Sequence, residues 1–326
     1  MPVTKGVFQR IFLAGLLLAP IMGLAFTLDE ELTDLRDTRD LPAIEQRMAD
    51  ASEDELNSAA GLRWQAWLAM ARQDSDAALV LLERGLEREP DNVELILMRA
   101  GAVLSGLSAS GGLPALRQAR AMSRELERAV ELAPDHPGAR ISLVQYLNNA
   151  PRVAGGGSRK AREHMDALKE HSPASYLGLK AQAAMAEGEL DAALADLEQA
   201  VELDGSDGWR FVYGLALQQT ERWDEARAVF DTMIAANPRH GGAWYQLGRT
   251  AVLSEQDIQA GIAAFERFLQ LPQWPADPGH AAAWWRIGQL HELEGEIDLA
   301  RLAYGRSLAE DPDFEEARAA LEALQG

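Results

Sequence analysis

The stretch DGWRFVYGLALQQTERWDEARAVFDTMIAANPRH, residues 207–240, decides the fold. Its spacing returns along the chain: Tyr213-Gly214 and Leu247-Gly248 lie 34 residues apart, as do Ala226 and Ala260, and Ile287-Gly288 repeats the pair after a longer loop. Within one unit a large apolar residue precedes Gly or Ala, a polar turn follows, then Ala226, Phe230 and Met233 fall at helical spacing and Pro238 stops the run. That pattern predicts two antiparallel helices, with small residues where they approach and bulky ones in the seam between units. Self-similarity at this period defines a solenoid in which each helix pair buries its apolar face on its neighbours.

Gly214, Ala226, Phe230 and Pro238, and again Trp284, Gly288, Ala300, Tyr304 and Pro312, form a small-large-Pro signature that resembles the tetratricopeptide repeat (TPR), in its bacterial exported type. Ser307 stands where that family usually has Ala, and Gly261 and Phe265 lag the register by one residue, which puts the turn before them in question rather than the fold. The expected architecture is all-α: a right-handed α-solenoid of antiparallel helix pairs, about seven TPR-like units between an N-terminal cap and a C-terminal capping helix. Protein binding is the general role that the resemblance implies.

Composition agrees with one elongated body that grows by stacking and needs no second core. Hydrophobic residues make up 47% of the 326, which suits packed helices, and the absence of Cys excludes disulfides, thiolate metal sites and an acylated Cys. Residues 1–25 differ from the rest: Lys5 and Arg10 precede an apolar run from Ile11 to Phe26, and Gly23-Leu24-Ala25 has the small residues an export peptidase reads. They predict a signal peptide cleaved after Ala25 and a periplasmic protein, with an uncleaved N-terminal anchor as the alternative. Loss of Lys5 and Arg10 would take the formal charge from −20 to −22. Such a surface repels phosphate backbones and anionic lipid, so nucleic acid is not an expected partner and membrane contact would come only through the export signal or anchor.

Degenerate capping helices are expected over 26–58, with Leu32 and Leu35 on one face and Ala43, Ile44 and Met48 on the next; the solenoid spans 59–314 and the capping helix 315–326. The second and third units are longer than 34 residues. Their excess, rich in Gly and Ser at 105–114 and 150–158, predicts loops that leave the stack on one edge.

No catalytic, cofactor or metal constellation emerges. The six His residues are scattered, and His164 and His171 lie two helical turns apart, roughly 10 Å by helical rise and too far to share an ion. Gly155-Gly156-Gly157-Ser158-Arg159-Lys160 lacks both the spacing and the preceding strand of a phosphate loop. The expectation is therefore a non-enzymatic scaffold without cofactor.

Function then rests on the concave face that stacked first helices create. The candidate peptide-binding residues at inward positions are Trp64, Trp67, Gln145, Asn148, Gln182, Phe211, Gln218, Tyr245, Arg249, Trp285, Arg286 and Gln289. Aromatics, Arg and Gln in place of solvating Glu resemble the core of an interface. For Trp284 the expected role is packing; for Tyr245 and Trp285 packing and binding are equally open. The partner would be a protein or peptide, with an acidic segment or free C-terminal carboxylate suited to the arginines. Another reading is an accessory ligand-binding subunit of an envelope transporter or assembly machinery, with the two Gly-rich loops as a gate. An open groove favours the scaffold, and a pocket of a few hundred Å³ near the loops favours the ligand.

Overall fold

Several of the helices begin where a side chain satisfies a free amide. Thr27 and Glu30 form a capping box at the first helix, Ser52 and Glu55 another at the third, and Asp40, Ser58, Asp74 and Ser206 cap singly. Two histidines at unit junctions do the same work, the Nδ1 atoms of His136 and His240 accepting from the amides of Ala139 (3.2 Å) and Ala243 (3.1 Å).

The structure, a computed structural model, describes residues 27–107, 112–275 and 277–324, so the expected signal peptide and its cleavage site lie outside the described residues. Its helices are α1 (Leu28–Asp37), α2 (Leu41–Ala49), α3 (Glu53–Asn57), α4 (Ala59–Ala71), α5 (Ser75–Arg88), α6 (Val93–Leu107), α7 (Gly112–Leu132), α8 (Pro137–Asn149) and α9 (Ser158–His171). They continue with α10 (Pro173–Glu187), α11 (Leu190–Asp204), α12 (Asp207–Gln219), α13 (Trp223–Ala236), α14 (Gly241–Ser254), α15 (Ile258–Leu269), α16 (His280–Leu293), α17 (Ile297–Glu310) and α18 (Glu315–Ala323). Consecutive helices pack as antiparallel pairs, and the seven pairs from α4/α5 to α16/α17 stack in chain order. The fold is thus the all-helical, tetratricopeptide-like solenoid that the 34-residue period predicts. Among the described residues no helix is long and apolar enough to cross a membrane.

First helices touch first helices: α4 meets α6, α6 meets α8, α8 meets α10, α12 meets α14 and α14 meets α16. They form the inner layer of the curve. The close approach within each pair follows the repeat code, because a Cβ on Gly214, Gly248 or Gly288 would stand 2.6, 2.7 or 2.3 Å from the rings of Phe230, Phe265 or Tyr304, so these bulky residues fill the space inside a pair and not only between units. Phe230, Phe265 and Tyr304 are fully buried. Most short turns inside a pair pass through a single left-handed residue: Arg39, Gln73, Gly188, Glu221 and Gly295. The turn between α14 and α15 uses two, Glu255 (φ 54) and Asp257 (φ 51), and so absorbs the one-residue lag of Gly261 and Phe265.

The two inserted segments correct the sequence reading. Ser105 to Leu107 complete α6, and Gly112 to Pro114 begin α7, so most of the second unit's excess lengthens helices instead of projecting as a loop; residues 108–111 lie outside the described residues. Proline is tolerated in a helix's first turn, where its missing N–H has no partner to lose. In the third unit, Arg152–Ala154 form a 3-10 turn and the glycines fold back on the stack: Gly157 N donates to Leu147 O at 2.9 Å, and a Cβ on Gly156 would lie 1.8 Å from Ala150 O. Arg120 Nε donates to Val153 O at 2.6 Å and ties the turn to α7.

The N-terminal hairpin α1/α2 buries Leu28, Leu32, Ile44 and Met48 against Trp64 and Leu68 of α4. Its tip then reaches across to the segment between α15 and α16. Arg39 Nη1 donates to both carboxylate oxygens of Asp277 at 3.2 Å and lies 5.1 Å from the Trp274 ring centroid. Arg239 pairs with Asp40 at 2.8 Å, and Trp67 meets Trp274 edge-on with centroids 5.3 Å apart. Residues 238 apart in sequence thus clasp the first helices to the sixth pair.

Candidate functional site

The inner layer near the C-terminal end carries an arginine pair that forms no ion pair among the described residues, although Glu255 and Glu292 line the hollow beside Trp285 and Gln289. Arg249 on α14 donates from Nη1 to Gln218 Oε1 at 2.7 Å and, more weakly, to Gln246 Oε1 at 3.4 Å. Arg286 on α16 donates from Nη1 to Gln289 Oε1 at 2.9 Å, and its guanidinium lies 4.1 Å from the Trp285 ring centroid. Its Nε is buried without a hydrogen-bond partner. Neither arginine makes an ion pair among the described residues, although most other partly buried arginines, such as Arg39, Arg47, Arg63 and Arg99, do. Burial first, and then the charge of Arg286, push Arg249 below the usual arginine range. Two half-buried guanidiniums that repel each other are the arrangement an incoming anion would relieve.

Gln218 sets the geometry. It is 3% exposed, its Nε2 donates to Thr250 Oγ1 (2.9 Å) and Gln246 O (3.0 Å), and its oxygen is thereby aimed at Arg249. Gln218 is therefore corrected from a groove-lining residue to one that positions Arg249.

The other candidates separate. Tyr245 is buried edge-on to Phe265 and Phe268 at 5.3 and 5.5 Å, so packing takes it from the groove. Trp64 is also corrected: it is 2% exposed beneath α1, and its indole N–H donates to Asp29 at 2.7 Å. Trp67 belongs to the clasp, and Phe211 stacks on His240 with centroids 5.9 Å apart. Gln145 Nε2 faces Gln182 Oε1 at 3.5 Å over a separate hollow, while Asn148 lies beside the glycine turn. Trp285 is half-buried and packs on Phe314 of α18. Trp284, assigned to packing, is half-buried against the core with Arg306 over its ring at 4.6 Å. The structure thus brings together Gln218, Arg249, Arg286 and Gln289, with Trp285 beside them.

One cluster escaped the sequence scan. Ligand atoms of His291, Glu294 and Glu296 come within 4.8 Å of one another. Its signal was the short spacing around Gly295. His291 is already engaged by Glu296 at 2.8 Å and Glu294 by Gln259 at 2.6 Å, so the group reads as an exposed turn network.

His240 gives a pH prediction. Burial first, then the charge of Arg39, hold its imidazole down to about 4, with Asp207 opposing. An unfolded histidine titrates near 6.5, so the unfolded chain takes up a proton that the folded one refuses. Its contribution is present above about pH 6.5 and is lost as pH falls toward 4. His240→Asn keeps a capping acceptor without titrating, and Tm measured from pH 7 to 4 should fall less steeply in the variant.

Stacked antiparallel helix pairs define a helical-repeat protein. Residues 184–251 match one family model described as "Tetratricopeptide repeat" and residues 250–313 a second, so that part of the chain is similar to tetratricopeptide repeats. Proteins of this family are in general protein-interaction scaffolds and typically not enzymes. Among curated proteins no sequence matches the chain. Of solved structures, the human IFIT1 dimer with m7Gppp-AAAA is similar at 16% identity and TM-score 0.57, over 90% of this chain and 71% of that one. Cut9, in the APC/C hetero-tetramer Cut9-Hcn1, is similar at 17% identity and TM-score 0.55, over 88% of this chain and 52% of the other. At these identities the likeness concerns the fold alone.

Proposed function

We propose that this chain is a non-enzymatic, exported scaffold that holds a partner protein by an acidic segment or a free C-terminal carboxylate laid against Arg249 and Arg286. The observation that carries the reading is the arginine pair, which has neutral amides for partners in a chain of formal charge −20. An anion there gains charge-assisted, bidentate hydrogen bonds in a partly dry setting, where they are worth more than at an open surface. The negative remainder of the surface disfavours such a segment elsewhere and so steers it toward the arginine pair. The periplasm is the proposed compartment, on the strength of Lys5, Arg10, the apolar run and Gly23-Leu24-Ala25. Intact mass of the exported protein should begin at Phe26; a chain retained whole in the membrane pellet would replace export by anchoring.

The binding test uses a fluorescein-labelled hexapeptide of Asp, Glu and Leu with a free C-terminus, beside its C-terminal amide. Arg249→Ala and Arg286→Ala should each weaken binding by about 2 kcal/mol, roughly thirtyfold, while leaving Tm nearly unchanged. Loss on amidation alone assigns the contact to the terminal carboxylate, and retention assigns it to the acidic side chains. Variants that bind as the unmodified protein does would remove the arginine pair from the partner surface.

A further inference from the structure

We propose that the hollow between α6, α8 and α10 is a second binding site, for a small, uncharged and largely apolar molecule, independent of the arginine pair. Its volume is about 600 Å³, within the usual span of small-molecule sites. Leu97 and Leu104 of α6 form one wall, while Ala119 and Leu126 of α7 form the floor. Because α7 belongs to the outer layer, the hollow passes between the inner helices; a chain resting on the concave face would lie above it. The Tyr146 hydroxyl, 2.7 Å from Ala119 O and 2.5 Å from Ala154 O, fixes the 3-10 turn over one end and has no hydrogen-bonding capacity left to donate.

The chemistry of the lining selects the ligand. Among the described residues no side chain that lines this hollow carries a formal charge, whereas each of four other hollows, of about 410 to 560 Å³, is lined by Asp, Glu, Arg or Lys. A charged ligand would lose hydration here with nothing to replace it, and a neutral one would not. At the rim, Gln145 Nε2 and Gln182 Oε1 stand 3.5 Å apart, the outer limit of a hydrogen bond. That weak contact is easily exchanged, so the two amides offer a donor and an acceptor to a carbonyl, hydroxyl or amide on an otherwise apolar molecule.

The probe is N-phenyl-1-naphthylamine, a neutral apolar dye, titrated into the full chain. Saturable binding of one dye per chain is expected. Ser142→Phe, which fills the hollow from a half-exposed position on α8, and Gln145→Glu, which sets a charge on its exposed rim, should each lower affinity about tenfold or more. Arg249→Ala and Arg286→Ala should leave dye binding unchanged, so the two sites fail or succeed separately. If Ser142→Phe lowers Tm sharply, the exposed Gln145→Glu variant decides alone. Dye uptake that does not saturate, or that ignores these variants while the fold is intact, overturns the site. Binding of an uncharged Leu- and Phe-containing heptapeptide, lost in Ser142→Phe while the dye fails to bind, would assign the hollow to a peptide side chain and overturn the small-molecule class.

Discussion

Phe265→Ala is expected to destabilise the protein by about 3–5 kcal/mol, the range for deleting a fully buried aromatic ring. The ring sits edge-on to Tyr245 and closes against Gly248, whose missing Cβ leaves the space it fills. Neither neighbour can collapse into the void: Tyr245 is held on its other side by Phe268, and Gly248 has no side chain to extend. Denaturant unfolding measures the loss. A change below about 1 kcal/mol would mean that the seam between α14 and α15 is not a packed core.

Arg39→Gln should produce the second large effect. Asp277 is nearly sealed from solvent, and burial raises its carboxyl above the usual aspartate range even though Arg39 and the Gly242 N–H pull it down. Removing the cation while the interface stays shut would strand a buried carboxylate, at a cost of about 3–5 kcal/mol. The chain can escape by parting the hairpin from the α15–α16 segment, so the observed loss is the smaller of that cost and the free energy holding the hairpin in place. Amide exchange separates the cases, since parting would raise exchange in α1 and α2 before the rest. Adding Asp277→Asn to Arg39→Gln should recover part of the loss by pairing two neutral amides. If Arg39→Gln alters neither Tm nor exchange, the contact contributes nothing in solution.

The stack was legible because its code is local. Ala226, Phe230 and Gly214 declare a helix pair through spacing that stays within one unit. The arginine pair was half legible: Arg249 and Arg286 stood out as cations on a negatively charged chain, but the roles of Gln218 and Tyr245 depended on Thr250 and Phe268, which no periodicity links to a groove. The glycines at 155–157 read as a projecting loop by composition, and only the backbone contacts with Leu147 and Ala150 turn them inward. Trp274 and Asp277 carried no signal at all. Their partners lie more than 200 positions away, beyond any repeat-based reading.

That distant contact changes what kind of object the array is. A solenoid held only by nearest neighbours behaves as a one-dimensional chain, free to fray from either end, with stability that is a sum over units. Joining the hairpin to the sixth pair turns the intervening stretch into a loop closed on itself, and closing so long a loop costs only slightly more entropy than closing a short one. The first helices should then open with the middle of the array and not ahead of it. Curvature becomes a shared variable as well. A ligand that flattens or tightens the arc at Arg249 and Arg286 must strain the contact at Arg39, so occupancy of the inner face and release of the N-terminal hairpin are thermodynamically linked, each altering the other by the same factor.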